Sequence, residues 1–282
     1  MILKMEQIKQ KAGTLIEALP YIQKYHNKIV VIKYGGAAMV DEELKKSVMQ
    51  DIVLLDHMGM KPVIVHGGGP NVTAAMKKAG IEAKFVNGLR VTDKETMVIV
   101  HKEFEKINKE LVSTLRKLGS KAISVVGTDN KLIHVKQKDP ELGFVGEIKK
   151  INPAITDTLI KDGYIPVISP IGVDNEGAWY NINADTAAAS IAIGLKAEKL
   201  TLLTDVDGVM ENNKLVSELT TKQVDEKISK EIIHGGMIPK TKACQYAVEN
   251  GCKKAHLING KITHALLLEI FTDKGVGTEI AK

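Results

Sequence analysis

Cysteine is nearly absent from this chain of 282 residues: there are two, Cys244 and Cys252. They share one helical stretch and form neither a CxxC pair nor a metal-ligand spacing, so no disulfide framework or thiolate metal site is expected. Reduced, structural thiols fit a cytoplasmic protein. Aromatic residues make up only 4% of the chain, which leaves few stacking platforms for single-stranded nucleic acid. Charge of one sign does not dominate either. The 39 basic and 34 acidic residues leave a net charge of +5, spread without basic tails or blocks, so no nucleic-acid partner is expected. No apolar run approaches the roughly 20 residues of a membrane span. The opening MILKMEQIKQKAG is too polar for a signal peptide, and no membrane partner is expected.

Several signatures of known chemistry are missing too. No G-x-x-x-x-G-K-[ST] occurs, and GGMIPKTK at 235–242 has the wrong spacing for one. No G-x-G-x-x-G follows the first strand-like run. The eight histidines form no H-E-x-x-H cluster, and His66, at a strand end, reads as a satisfied structural histidine. No serine sits in a G-x-S-x-G elbow, which leaves a hydrolase triad without support.

What is present is alternation. Strand-like runs at 29–34, 61–66, 121–126, 164–169 and 199–204 are continuously apolar, as parallel strands covered on both faces are. Helical stretches lie between them at 41–58, 70–80, 93–118, 153–162 and 184–195. Asp41 and Asp93 stand where N-caps belong, and Gly59, Gly80 and Gly119 where helices stop. This alternation predicts a three-layer α/β fold. Two hairpins interrupt it, within 131–148 and around GVDNEGAWYNI at 172–182. A hydrophobic content of 44% and a length of 282 residues allow one large domain or two lobes. Residues 1–27 differ, because Ile8, Ala12, Leu15, Leu19 and Ile22 recur at helical spacing as one apolar stripe. Pro20 should kink or divide that helix.

Two strands run into glycine turns, KIVVIKYGGAAM at 28–39 and KPVIVHGGGPNV at 61–72. Glycine lets backbone N–H groups approach a phosphate closely, and a following helix N-terminus favours negative charge. Tight turning alone would also explain an isolated pair. Two such turns after consecutive strands, one led by Lys33, favour an anion site at the carboxyl edge of a parallel sheet. Arg90, in the turn NGLRVTD, can grip a carboxylate bidentately or form a surface ion pair. Asn181, Asn183 and Asp185 precede a small-residue helix, and capping accounts for one of the three. Asp205 and Asp207 follow a strand, where turn chemistry alone explains Asp207-Gly208. Lys240 lies in the first turns of a helix, a place that disfavours a cation unless an anion is near.

KYGGAAM, VIVHGGGPNV, NGLRVTD, GYIPVISPIGVDNEG, NINADTAAA, TDVDGV and GGMIPK resemble, in that order, motifs of the amino acid kinase family. The likeness is to the branch that phosphorylates N-acetyl-L-glutamate, and it runs from about residue 28 to the end. It implies an open αβα sandwich with a mainly parallel sheet. It also implies an N-terminal oligomerisation helix at 1–27, an acid-binding and dimerising lobe at 28–195 and an ATP-binding lobe at 196–282. The implied reaction is ATP-dependent phosphorylation of the γ-carboxylate in arginine synthesis, with Mg2+ accompanying ATP and no metal held by protein side chains.

By the same resemblance Lys33, Lys240 and Asp185 are catalytic, Asp185 holding both lysines. Gly68, Gly69, Arg90, Asn181 and Asn183 bind the acid; Lys33, Gly35, Gly36, Thr204, Asp205, Gly208 and Lys240 bind ATP. The N-terminal helix and KITHALLLEIFTDKGVGTEI at 261–280 resemble the arginine-inhibited, hexameric members, built as a trimer of dimers. An L-arginine site is implied at Glu269, Gly275 and Gly277, with Lys196 and Tyr21 as further contacts. Aspartate, glutamate, carbamate and uridylate kinases share the sandwich, but NGLRVTD and NINAD favour the acetylglutamate branch. A non-catalytic sensor on the same scaffold could dispense with Lys33, Asp185 or Lys240, and this chain keeps all three.

Overall fold

A computed structural model describes residues 2–272 and 275–282. In chain order its helices and strands are α1 (Ile2–Glu17), α2 (Leu19–Tyr25), β1 (Ile29–Tyr34), α3 (Glu42–His57), β2 (Lys61–His66), α4 (Gly69–Lys78), β3 (Phe85–Val86), β4 (Leu89–Arg90), α5 (Lys94–Lys117) and β5 (Ala122–Val126). There follow β6 (Ile133–Gln137), β7 (Gly146–Ile151), α6 (Ala154–Lys161), β8 (Ile165–Ser169), β9 (Ile171–Val173), β10 (Trp179–Asn181), α7 (Ala184–Gly194) and β11 (Lys199–Thr204). The last elements are β12 (Met210–Glu211), β13 (Lys214–Leu215), β14 (Glu218–Thr220), α8 (Thr221–Ser229), α9 (Met237–Glu249), β15 (Lys254–Asn259), α10 (Ala265–Ile270) and β16 (Thr278–Ala281).

Eight strands form the central sheet in the order β14-β16-β15-β11-β1-β2-β8-β5. Neighbours run parallel except β15 and β16. Because strand side chains alternate between faces, the sheet buries two apolar layers. Val31, Val63, Val65, Leu200 and Leu202 pack toward Ala187, Ala188 and Ile191 of α7 and Cys244, Ala247 and Val248 of α9. Val30, Ile32, Tyr34 and Ile64 pack on the other face toward Met49 and Ile52 of α3, Met76 of α4 and Leu111 of α5. The result is an αβα sandwich. The two apolar layers divide by face of the sheet, and β1 joins β2 to β11 across residue 195 without a break.

Local chemistry explains the element ends. Asp41 accepts from the Glu43 and Leu44 N–H groups at 2.9 Å, and Asp93 from Thr96 N–H at 2.7 Å, as N-caps do. Both expected hairpins form, β6–β7 and β9–β10. A third, β3–β4, corrects the expectation for Arg90: it lies on a strand and not in a turn. The turn is Asn87-Gly88, both at positive φ (50° and 77°), the conformation a two-residue hairpin loop favours.

The N-terminal helix divides before Pro20, which stands in the first turn of α2. Its apolar stripe is not buried by its own chain: Leu15 is 70% exposed and Leu19 46%, while Ala12 is exposed and Ile22 half-buried. The side chain of Ile8 lies outside the described part. Tyr25 is the anchor, buried with Lys199 Nζ 5.5 Å from its ring centroid. No described helix is long and apolar enough to cross a membrane.

Candidate active site

Alternation along β1 sends Lys33 to the same face as Val31, toward α7. There the Lys33 ammonium lies 3.0 Å from Asp185 Oδ1, in the first turn of α7. Lys240, in the first turn of α9, donates to Asp185 Oδ2 at 2.8 Å. This carboxylate is the anion that the position of Lys240 at a helix N-terminus calls for. Burial opposes the charge on Asp185, but the two ammonium groups outweigh it and hold its pKa below the ordinary carboxylate value.

The trio closes one end of a cleft of about 280 Å³ between the carboxyl ends of β1 and β2 and the start of α7. Gly36, Gly67, Gly68 and Gly69 line it. Gly35 packs beside the Lys33 side chain, where an added Cβ would stand 3.0 Å from the ammonium. Gly36 adopts φ +69°, a conformation that favours glycine, and a Cβ there would stand 2.7 Å from Asp205 Oδ1.

Arg90 forms the opposite wall. Its Nη2 donates to Gly69 O at 3.0 Å and to Thr73 Oγ1 at 2.7 Å, and the guanidinium lies 4.8 Å from the Phe85 ring centroid. Only 8% of the residue is exposed, and no acidic side chain among the described residues pairs with it. Burial lowers its pKa. A buried cation held by neutral partners beside a cleft suits an anionic ligand. Asn181 donates to Thr92 Oγ1 at 3.2 Å and lines the same cleft. Asn183 is the residue of its segment that caps: its Oδ1 accepts from the Asp185 and Thr186 N–H groups at 3.0 Å. It lines the cleft as well.

Thr204 ends β11 and Asp205 and Gly208 follow it, outside the wall of this cleft. The Thr204 hydroxyl donates to Val206 O at 2.7 Å, a local turn bond, and Asp205 lies against Gly36. His66 is fully buried and bonded to protein atoms at both ring nitrogens, as a structural histidine should be. Phe85, Thr73 and Thr92 escaped the sequence reading. The Asn87-Gly88 dipeptide signals the hairpin that carries Phe85, but no local pattern marks the two hydroxyls.

A second cleft, about 560 Å³, lies where α2 and α10 meet β14–β16, and it gathers Tyr21, Glu269, Gly275 and Gly277. Lys196 is not among its walls, because it turns at positive φ (50°) between α7 and β11. Glu269 is buried. It pairs with His256 and with Lys199 at 3.4 Å, and accepts from Val276 N–H at 3.0 Å. Burial resists its charge, yet these partners hold its pKa down to about 2. Glu218 and Glu279, which the sequence reading did not single out, also line this cleft.

Residues 28–259 match the model of the amino acid kinase family. The chain is 53% identical over 279 residues to acetylglutamate kinase of Caldanaerobacter subterraneus subsp. tengcongensis, covering 96% of this chain and 93% of that one. It is 50% identical over 295 residues to acetylglutamate kinase of Methanocaldococcus jannaschii, covering 99% and 98%. Among solved structures it resembles N-acetylglutamate synthase from Neisseria gonorrhoeae in complex with coenzyme A and N-acetyl-glutamate, with TM-score 0.86, 24% identity and 96% of this chain covered. The chain spans 63% of that synthase. Carbamate kinase from Giardia lamblia bound to AMP-PNP superposes with TM-score 0.70 at 19% identity, over 91% of this chain and 99% of that one. These structural likenesses show the fold.

The depressed pKa of Asp185 carries a stability consequence. A carboxylate with a lowered folded pKa contributes stability that is present above its unfolded value, near 3.8, and lost as pH falls through the folded value. The unfolding free energy lost in Asp185→Asn should therefore be steady above about pH 5 and shrink below it. Urea titrations of both proteins across pH check this; a difference unchanged down to the acid limit of folding contradicts it.

Proposed function

The chain belongs to the amino acid kinase family and, within it, to the acetylglutamate kinases; from that membership we propose that the cleft between Lys33, Asp185, Lys240 and Arg90 is its phosphoryl-transfer site. The reaction is ATP-dependent phosphorylation of N-acetylglutamate in arginine biosynthesis. The observation that carries the site assignment is the convergence of two ammonium groups, from β1 and α9, on one buried carboxylate. A γ-phosphoryl group in flight carries negative charge on its oxygens, and catalysis there is mainly positioning and electrostatic stabilisation. Lys33 and Lys240 meet that charge, and Asp185 keeps the two cations from separating. The substrate γ-carboxylate, with a pKa near 4, is ionised at neutral pH and attacks without a general base. Its oxygen bonds to the γ-phosphorus as the bond to the β–γ bridging oxygen breaks, and ADP leaves.

Arg90 takes the α-carboxylate, replacing no internal ion pair, with Asn181 and Asn183 beside it. Gly68 and Gly69 offer N–H groups to the reacting acid. Thr204, Asp205 and Gly208 adjoin the nucleotide from residues 196–282, the ATP-binding lobe, and Gly35 and Gly36 reach its phosphates from residues 28–195, the acid-binding lobe. Among the described residues no group of three or more His, Cys, Asp or Glu is placed to hold a metal ion. We place Mg2+ on the phosphates of ATP, as kinases commonly hold it. The two cysteines are free and buried, in keeping with a cytoplasmic setting.

The unpartnered stripe on α1 and α2 supports a second element of the proposal. An apolar helix face that its own chain leaves exposed suits burial against another subunit. We assign it to a hexamer built as a trimer of dimers. The adjoining cleft is lined by Glu218, Glu269 and Glu279 together with Lys24, Lys199 and Lys254; walls of both signs suit a small ligand carrying both charges, which we take to be L-arginine acting as feedback inhibitor.

Lys240→Ala should lower kcat by about 10²–10³-fold, with a smaller effect on KM for the acid, because the cation acts where transition-state charge develops. Steady-state kinetics showing near wild-type kcat would remove Lys240 from the catalytic role. Deleting residues 1–26 should leave an active dimer that arginine no longer inhibits. A truncated protein that stays hexameric by light scattering and keeps full arginine sensitivity contradicts the regulatory reading.

A further inference from the structure

His66 ends β2 directly before the glycine turn, is fully buried and plays no part in the chemistry above. Its Nδ1 lies 2.8 Å from Gly67 O. A carbonyl oxygen only accepts, so Nδ1 carries the hydrogen. Burial lowers the His66 pKa to about 4, and the ring is neutral at physiological pH. Nε2 is then an acceptor, and the Ser169 hydroxyl, 3.2 Å away, donates to it. Ser169 Oγ in turn accepts from Asn108 Nδ2 at 2.7 Å, a group that also stands 3.2 Å from Val125 O. Every hydrogen in this chain has one consistent position.

The chain ends on the peptide that joins Gly67 to Gly68. No peptide bond among the described residues is cis, and in a trans unit the C=O and the following N–H point in opposite directions. Pinning Gly67 O to His66 therefore turns Gly68 N–H away from the ring. Gly68 is buried, lines the cleft, and its N–H meets no protein acceptor among the described residues. A backbone N–H is an obligatory donor, and one that lines a cleft without a protein acceptor is free for a ligand. The Gly67 N–H is fixed separately, to Tyr34 O at 2.7 Å. A Cβ on Gly68 would stand 2.7 Å from Phe104 Cε1 and 2.8 Å from Ile107 Cδ1, so the turn is pressed against the same helix, α5, that supplies Asn108.

We propose that Asn108, Ser169 and His66 form a buried positioning relay that aims the Gly68 N–H into the cleft as a fixed donor to the negative charge of phosphoryl transfer. The proposal rests on the cleft being the phosphoryl-transfer site. His66 acts through Gly67 and does not touch substrate. A role as general base is out of reach, because both ring nitrogens are engaged by protein atoms.

The test is kinetic. His66→Phe keeps a ring of similar size and removes both nitrogens, and kcat should fall by roughly 10-fold or more while KM for ATP and the acid changes little; complete loss of an oxyanion donor costs about 10²–10³-fold. His66→Asn puts an amide N–H near the place of Nδ1 and should recover most of kcat. His66→Gln reaches only toward Ser169 and should not. Ser169→Ala, a smaller change that serves as the second variant should His66→Phe not fold, should lower kcat a few-fold and leave the pH profile of kcat unchanged in shape.

Wild-type kcat in a folded His66→Phe, or in Ser169→Ala should His66→Phe not fold, overturns the relay, as does loss of kcat that Gln rescues as well as Asn does. Wild-type protein that turns over no N-acetylglutamate with ATP overturns the reading of the cleft itself, and with it the relay's purpose.

Discussion

Two cations share one buried anion, and most of the site follows from that imbalance. Asp185 alone would be costly to bury, and Lys33 and Lys240 alone would repel each other. Together they leave an excess positive charge in a region of low dielectric, where taking one partner away strands the others. The arrangement draws on three separate elements, β1, α7 and α9, so it forms only when the sandwich is assembled. An anion passing between the lysines restores the charge balance that the protein leaves open. The same logic applies at Arg90, whose guanidinium is buried against a backbone carbonyl, a hydroxyl, a thioether and an aromatic face.

The sheet separates the two charged regions. Register pairs Val30 with Lys199 and Lys33 with Leu202, and Thr204 with Asn259. Lys199 therefore begins β11 at one edge of the sheet, while Lys33 and Thr204 stand at the other. The proposed active site uses the carboxyl ends of β1 and β2, where parallel sheets offer their turns to ligands. The cleft around Glu269 uses the opposite ends, beside the buried Tyr25 of α2. Tyr25 of α2 thus meets Lys199 of β11 at the edge remote from the proposed chemistry.

Much of this was legible in the sequence because the signals were local. The strands 29–34, 61–66 and 199–204 carry uninterrupted apolar runs and appear at those bounds. Asp41 and Asp93 cap as their spacing indicates. The strand 254–259 escaped notice because KAHLIN mixes lysine, histidine and asparagine with a short apolar centre; its place beside β11 makes it a core strand through tertiary pairing. The β3–β4 hairpin is only two residues per strand, too short for periodicity to show. Thr73, Thr92 and the Asn108–Ser169–His66 chain join residues up to 103 positions apart, and no local pattern carries that information. Lys33, Asp185 and Lys240 could be grouped in advance only through the family resemblance, since nothing in their spacing along the chain brings them together.

The most direct test of the shared-anion account is a crystal structure of the protein with N-acetyl-L-glutamate, Mg2+, ADP and fluoroaluminate, a planar mimic of the group in transfer. The account predicts the aluminium centre between the acid's γ-carboxylate and ADP, with the ammonium groups of Lys33 and Lys240 within about 3 Å of its fluorines, the range of a charge-assisted hydrogen bond, and Asp185 still contacting both. A fluoroaluminate bound in this cleft but out of reach of either lysine, or a carboxylate held elsewhere than beside Gly68 and Arg90, contradicts it.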